Sequence, residues 1–295
     1  MHPFSSRLIF RNTYLISGGE DGCDCYLLPG QDEAVMIDAG ISTENIRAYA
    51  ERLCGLPVRT VINTHSHFDH TGGNGFFDRV CITKAASASA KNTIGCGDPK
   101  DYPLDYDFTF IKDGDILTFG GQRLQILELD CHSQGNIAIL DLDRRLLFSG
   151  DEVDSGQVLL LPGFGERPGE VYARGASSVE KFLGVIRRLS ALRDQFDYIM
   201  PGHNGAPVDN SYLDMFEELA LRILHGYEGS EDLSSPTFLS SFSHYPTKEM
   251  HYRRGEYRLA ALVYCTDRIR ESDPDHLAYM RGLAGGAERH TLTGG

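Results

Sequence analysis

The chain has 295 residues, with 28 Lys and Arg against 42 Asp and Glu, a formal net charge of −14, and 41% hydrophobic and 24% charged residues. That composition is globular and excludes wholesale disorder. So acidic a chain is poorly suited to gripping a phosphate backbone or an anionic membrane surface, and no nucleic-acid or membrane partner is favoured. No apolar run of about 18 residues occurs, and residues 1–16 lack a basic region followed by a long apolar stretch, so neither a spanning helix nor a signal peptide is expected. Seven cysteines without a CxxC pair argue against a disulfide framework and for a reducing cytoplasm.

In chain order, Arg7 to Ser17 and Cys23 to Leu28 are β-rich and separated by the turn-prone Gly18-Gly19-Glu20-Asp21-Gly22. Ala34 to Asp38 is a short apolar run that reads as a buried strand entering a loop. Ser42 or Thr43 is placed to cap a helix reaching about Leu53. Val58 to Asn63 is a further strand, Val80 to Thr83 another, and Ala85 to Thr93 a helix. Residues 95–110 mix Gly, Pro, Asp and aromatics without periodicity and read as a surface insertion or lid. Asp115 to Phe119, Arg123 to Leu129, Asn136 to Leu140 and Arg145 to Ser149 give four short strands, followed by a Gly/Pro-rich loop over 154–170.

Ser177 to Arg193 has helical spacing, with Val179, Phe182, Leu183, Ile186 and Leu189 on one face. Tyr198 to Met200 is a strand and Ser211 to Gly226 a helix. Met250 to Arg254 and Tyr257 to Cys265 read as a hairpin around Gly255-Glu256, its second strand apolar enough to be buried on both faces. The order of strands and helices fits a layered α/β sandwich. No linker divides the chain, so residues 1–295 are expected to form a single domain, with 228–295 as a C-terminal extension whose hairpin packs on it.

The densest chemical signal is His65-Ser66-His67-Phe68-Asp69-His70, three imidazoles and a carboxylate at the end of an apolar strand. Imidazole nitrogen and carboxylate oxygen are ligand types that zinc accepts. On a turn, His65 and His67 can point to one side and Asp69 and His70 to another, so one loop can serve two ions. Such a loop cannot complete two shells, and the missing ligands are sought at other strand ends beside glycine. His132 before Ser133-Gln134-Gly135, Asp151 after Ser149-Gly150 and His203 after Pro201-Gly202 have that context.

This series, in this order and together with Ile37-Asp38-Ala39-Gly40, resembles the metallo-β-lactamase-fold hydrolase superfamily over about residues 7–210. The pattern is similar to hydroxyacylglutathione hydrolases and acyl-homoserine lactonases within it. The resemblance implies a four-layer αββα sandwich and two divalent metal ions per chain, zinc first, with iron or manganese as alternatives. It places His65, His67 and His132 on the first ion and Asp69, His70 and His203 on the second, with Asp151 bridging. It also gives Asp69 a catalytic part in orienting water, and implies attack on an ester, thioester or lactone carbonyl of a small-molecule substrate.

The competing functions are an iron-dependent oxidoreductase of the persulfide dioxygenase kind and a phosphodiester hydrolase. Residues after about 225 do not read as the helical glutathione-binding domain of hydroxyacylglutathione hydrolases, which counts against glutathione thioesters. Candidate substrate contacts are Tyr172 and Arg174 after the Gly/Pro-rich loop, and Tyr252 and Arg253 near the C-terminal hairpin. Cys23, Cys25 and Cys131 read as packed thiols. A homo-oligomer is compatible with all of this.

Overall fold

The computed structural model describes residues 4–17, 23–93, 98–160, 178–233 and 251–273. They fall into two units, 1–155 with 192–210, and 156–191 with 211–295.

The first unit contains a seven-stranded sheet in sequence order: β1 (Ser5–Phe10), β2 (Thr13–Ser17), β3 (Asp24–Pro29), β4 (Ala34–Ile37), β5 (Val58–Ile62), β6 (Arg79–Thr83) and β7 (Phe108–Ile111). β1 to β4 are antiparallel and β4 to β7 parallel. The sheet is covered on both faces, and the two-residue period of a strand divides its side chains accordingly. In β4, Val35 and Ile37 join one cluster and Ala34 and Met36 the other. The outer cluster includes Ile46 and Ala50 of α1 (Ile46–Cys54).

The inner cluster joins this sheet to a second, ordered β14 (Val208–Asp209), β13 (Tyr198–Pro201), β11 (Leu146–Gly150), β10 (Ile137–Asp141), β9 (Gln122–Glu128) and β8 (Ile116–Phe119). Ile37 and Ile62 from the first sheet meet Ile126, Ile139 and Phe148 from the second in one contiguous core. Full burial of each such side chain stabilises by about 1.5–3 kcal/mol, so this core contributes heavily to holding the two sheets together.

At one end of the sandwich, polar groups lock the sheets together. Arg144, in the β10–β11 turn, donates to Asp141 Oδ2 (3.1 Å), to the Arg11 carbonyl (2.9 Å) and to the Pro29 carbonyl (2.6 Å). Arg11 in turn donates to the Arg144 carbonyl (2.5 Å) and to Asp197 (2.6 Å), which Arg145 also grips.

The second unit holds a four-stranded sheet ordered β12 (Val158–Leu160), β17 (Ala260–Cys265), β16 (Tyr252–Tyr257) and β15 (Glu231–Asp232). It also holds α3 (Val179–Ser190) and α4 (Tyr212–Leu224), which pack together through Phe182 and Phe216 with ring centroids 5.6 Å apart. Ser178 caps α3 by accepting from the Lys181 N–H at 3.0 Å. Every residue of β17 is buried, as its apolar run predicts.

Several local expectations are corrected. The β-rich stretch from Arg7 to Ser17 is a hairpin, turning at Arg11-Asn12, both with positive φ (52° and 54°). A two-residue turn of that hand matches the twist of the flanking strands. α1 is capped by Asn45, whose side chain accepts from the Ala48 N–H at 2.9 Å, and not by Ser42 or Thr43. Ala85 to Thr93 makes only a 3-10 turn at Ala86–Ala88; the Ala90 carbonyl there accepts from Thr71 Oγ1 at 2.8 Å instead of continuing a helix. The aperiodic stretch over 95–110 ends in β7, and the Gly/Pro-rich loop contains β12. The late hairpin turns at Arg258-Leu259, not at Gly255-Glu256. Gly255 lies inside β16, where an added Cβ would be 3.3 Å from Ile223 and 3.4 Å from Leu219 of α4, so its role is close approach of helix to strand.

Two outcomes follow for stability. Arg144→Ala leaves the fully buried Asp141 without its cation, and the loss is expected to reach about 3 kcal/mol by denaturant titration. A loss under 1 kcal/mol, on the order of a surface pair, would contradict the locking role. Arg145, then Arg11, push the Asp197 carboxyl down to about 2. A pKa depressed below the unfolded value of about 3.9 adds stability above that pH and loses it as pH falls towards 2. The Tm difference between wild type and Asp197→Asn should therefore be positive at pH 6 and close by pH 2. A gap independent of pH would contradict the pairing.

Candidate metal centre

β4 is followed by Asp38, a non-glycine residue at φ 58°. There its Oδ1 accepts from the Thr64 N–H at 2.8 Å, and its Oδ2 is 2.7 Å from Thr64 Oγ1 and 2.9 Å from His70 Nδ1. One carboxylate thus fastens the end of β5 to the imidazole of His70. Beyond β5, Asn63 and Asn74 exchange amide hydrogen bonds of 3.0 and 2.8 Å, and Asn63 Nδ2 donates to the His70 carbonyl at 3.1 Å. These bonds fold the histidine-rich loop into α2 (Phe68–Thr71), a single turn with His67 at its N-cap and Asp69 and His70 inside it.

The remaining side chains arrive from the second sheet. His132 follows β9, and its N–H donates to Glu152 Oε2 at 2.8 Å. Asp151 follows β11 through Gly150, whose φ is 53°. His203 follows β13, and its N–H donates to Asp154 Oδ1 at 3.1 Å.

All seven residues singled out in the sequence meet here. His65, His67, His132 and Asp151 form one group and Asp69, His70 and His203 another, the potential ligand atoms in each lying within 4.8 Å of one another. Asp151 stands between them: its Oδ2 is 3.5 Å from His132 Nε2, 3.5 Å from His203 Nε2 and 3.9 Å from His65 Nε2, while its Oδ1 is 3.2 Å from His70 Nε2. Asp69 Oδ2 is 3.2 Å from His203 Nε2 and 3.6 Å from His70 Nε2. Tyr172 and Arg174 lie outside the described residues. Tyr252 and Arg253 lie on β16 of the second unit, Tyr252 buried and Arg253 half-buried.

The donor set fits a divalent cation. His65 Nε2 is buried with no hydrogen-bond partner among the described residues, although it belongs to a polar cluster. Most buried polar atoms of folded proteins are paired, so an imidazole nitrogen left this way among other ligand types marks a place for an electrophile. Burial and then the neighbouring imidazoles lower the pKa of His65 well below the ordinary histidine value. Burial, then His132, lower that of His67 to about 3. Both rings are therefore neutral and offer lone pairs. Burial disfavours charge on Asp151, yet His203 and His70 hold its carboxyl well below the usual range. Asp151, working against burial, pushes His203 up to about 12. Anionic carboxylates beside the neutral rings of His65 and His67, with His203 held protonated by Asp151, mark a cage that favours positive charge.

Sequence reasoning did not place Asp38, Glu152, Asp154 or Cys23 beside the site. Asp38 had a signal in the strand-loop Ile37-Asp38-Ala39-Gly40, and Glu152 and Asp154 lie in the acidic stretch after Gly150. Cys23 had none beyond its closeness to β3. Its Sγ lies within 4.8 Å of a carboxylate oxygen of Asp38 and a ring nitrogen of His70.

Gly202 is required by close approach: a Cβ there would collide with Asp151 Oδ1 and come within 2.9 Å of His70 Cε1. Gly202→Ala should therefore keep the circular dichroism of wild type and lose at least half of its bound metal by elemental analysis. Unchanged metal content would refute the constraint.

Residues 18–210 match the family model of the metallo-beta-lactamase superfamily. The chain is 27% identical over 213 residues to the acyl-coenzyme A thioesterase MBLAC2 of Homo sapiens, covering 60% of this chain and 71% of the relative. It is 27% identical over 168 residues to a hydroxyacylglutathione hydrolase of Gloeobacter violaceus, covering 56% and 60%. Among solved structures, a metallo-beta-lactamase from Pontibacter korlensis superposes with a TM-score of 0.56 at 18% identity, over 74% of this chain and 99% of that one, a likeness of fold. With its α/β sandwich, its His and Asp cluster and a family match over most of its length, the chain belongs to the metallo-beta-lactamase superfamily, and its relatives there are hydrolases.

Proposed function

We propose that the chain is a metal-dependent hydrolase that binds two zinc ions and cleaves an acyl thioester. The observation that carries this reading is the placement of Asp151 between two groups of imidazole and carboxylate ligand atoms. His65, His67 and His132 would hold the first ion, Asp69, His70 and His203 the second, and Asp151 both. A structural zinc site is closed by four ligands, and seven in two neighbouring groups exceed that need. When bound, the ions would supply a water of lowered pKa and Lewis-acid polarisation of the scissile carbonyl.

The chain's own residues do the positioning. Asp38 fixes the ring of His70 through Nδ1, so that Nε2 faces Asp69 and Asp151. The Glu152 carboxylate holds the His132 backbone, and Asp154 holds that of His203. Asp69 and His203 are the more open members of the cluster, each with a side chain 28% exposed. Asp69 Oδ2 can therefore accept a proton from an incoming water and orient its attack. No side chain need act as nucleophile, so the acyl group passes directly to water. The thioester preference rests on the relatives, one named for acyl-coenzyme A and the other for hydroxyacylglutathione. The carbonyl chemistry is the same for esters and lactones.

Elemental analysis of protein purified with its metal should give close to two zinc ions per chain. Asp151→Ala should bind one ion or fewer and lose at least 100-fold in kcat/KM on an acyl-coenzyme A substrate, with the fold intact. One ion in fully loaded wild type would overturn the two-ion reading. Activity on lactones or phosphodiesters, with none on thioesters, would overturn the substrate class.

A further inference from the structure

We propose that Ser155 is a positioning residue for His203, its hydroxyl bracing the turn that aims this imidazole at Asp69 and Asp151. Ser155 Oγ lies 3.2 Å from the His203 carbonyl oxygen and 2.9 Å from that of Gly205. The residue before it, Asp154, accepts from the His203 N–H at 3.1 Å and from the Ser155 N–H at 2.9 Å through one oxygen, Oδ1. Consecutive side chains thus hold both the N–H and the C=O of one candidate ligand. The same carboxylate fixes the backbone that carries the hydroxyl. Asp154 and Ser155 are both buried.

The turn depends on such bonds because its own backbone is unfavourable. Asn204 and Gly205, directly after the imidazole, both have positive φ (61° and 94°). A conformation of that kind persists only where its surroundings over-determine it. Donors from outside the turn reach its carbonyls. Tyr26 Oη donates to Pro201 at 2.5 Å, the Asp24 N–H to Gly202 at 2.6 Å and Arg7 to Ala206 at 2.8 Å. Ser155 serves the two in the middle, on either side of Asn204. A hydroxyl has one proton, so it is shared between them, and it ties together the positions that flank the left-handed residue. The ring gains less from packing than its neighbours do: the His203 side chain is 28% exposed, those of His65 and His70 0%. An imidazole with open space beside it takes its direction from its backbone. Groups that orient a ligand in this way typically change metal affinity by about 10–100-fold when altered.

Two readouts test this, and the first does not depend on the metal-centre reading. Residue-resolved amide hydrogen exchange of metal-free protein reports how firmly the His203 N–H is held by Asp154. Ser155→Ala should speed its exchange by about 10-fold or more and leave the Ile139 amide, in the middle of β10, at the wild-type rate. Ser178→Ala removes another buried hydroxyl bond, the cap of α3, and should leave His203 as in wild type. A His203 rate unchanged in Ser155→Ala would overturn the proposal. So would an equal rise in Ser178→Ala, which would signify general loosening of the chain.

The second readout is cobalt(II) titration followed by the d–d absorption, and it rests on the two-ion reading. Ser155→Ala should weaken the second ion by about 10-fold and alter its absorption while the first binds as in wild type. Two ions weakened equally, or neither, would overturn the positioning role. Wild type that takes up no cobalt would overturn the metal centre, and the His203 exchange rate would still decide the part of Ser155.

Discussion

The candidate site depends on one buried carboxylate. Asp38 lies at the end of β4 in a backbone conformation that few non-glycine residues adopt, and it serves the Thr64 N–H, the Thr64 hydroxyl and the His70 ring. Those bonds connect two parallel strands, begin the histidine-rich loop and set the direction of one imidazole. Local strain of this kind persists only where the surroundings over-determine it, and three charge-assisted bonds on one side chain do so. Everything downstream inherits that geometry: the single turn that carries Asp69 and His70, and the approach of Asp151 to His70.

The second constraint is electrostatic. Five imidazoles and two carboxylates are packed where water is largely excluded, an arrangement that favours neutral rings and penalises anions. His65 and His67 follow the first tendency and are neutral. Asp69 and Asp151 resist the second because imidazoles crowd around them. The cluster is thus better matched to a cation than to an empty apolar pocket or an anion. That matching is also why the centre can present lone pairs and negative charge together.

What the sequence made legible follows from range. His65, His67, Asp69 and His70 lie within six residues, and a dense ligand cluster at a strand end is visible without any fold. His132, Asp151 and His203 could be picked out because each follows a strand with a glycine within three residues. The sheets were legible through apolar runs such as Ala34 to Ile37, whose side chains divide between two cores. Tertiary choices were not legible. Nothing local distinguishes Arg11-Asn12 as a left-handed turn, or tells that the Ala90 carbonyl is taken by Thr71 instead of a helix. Gly255 looked like a turn residue because its real reason, the nearness of α4, lies more than thirty positions away. Asp38 and Cys23 meet His70 only through folding, across 32 and 47 positions of sequence.

The polar lock around Arg144 carries a consequence for the first unit. It joins the β1–β2 turn, the end of β3 and the β10–β11 turn, all at the opposite ends of the strands from Asp38, His65 and Asp151. The sandwich is therefore stitched at one margin by guanidinium bonds, and at the margin of the site by backbone bonds such as Ile137 N–H to the Thr64 carbonyl and Asp24 N–H to the Gly202 carbonyl. Loops on the site margin can be lengthened or exchanged without breaking the guanidinium lock, because none of its bonds passes through them. A fold bound in this manner separates the part that must not change from the part that selects a substrate.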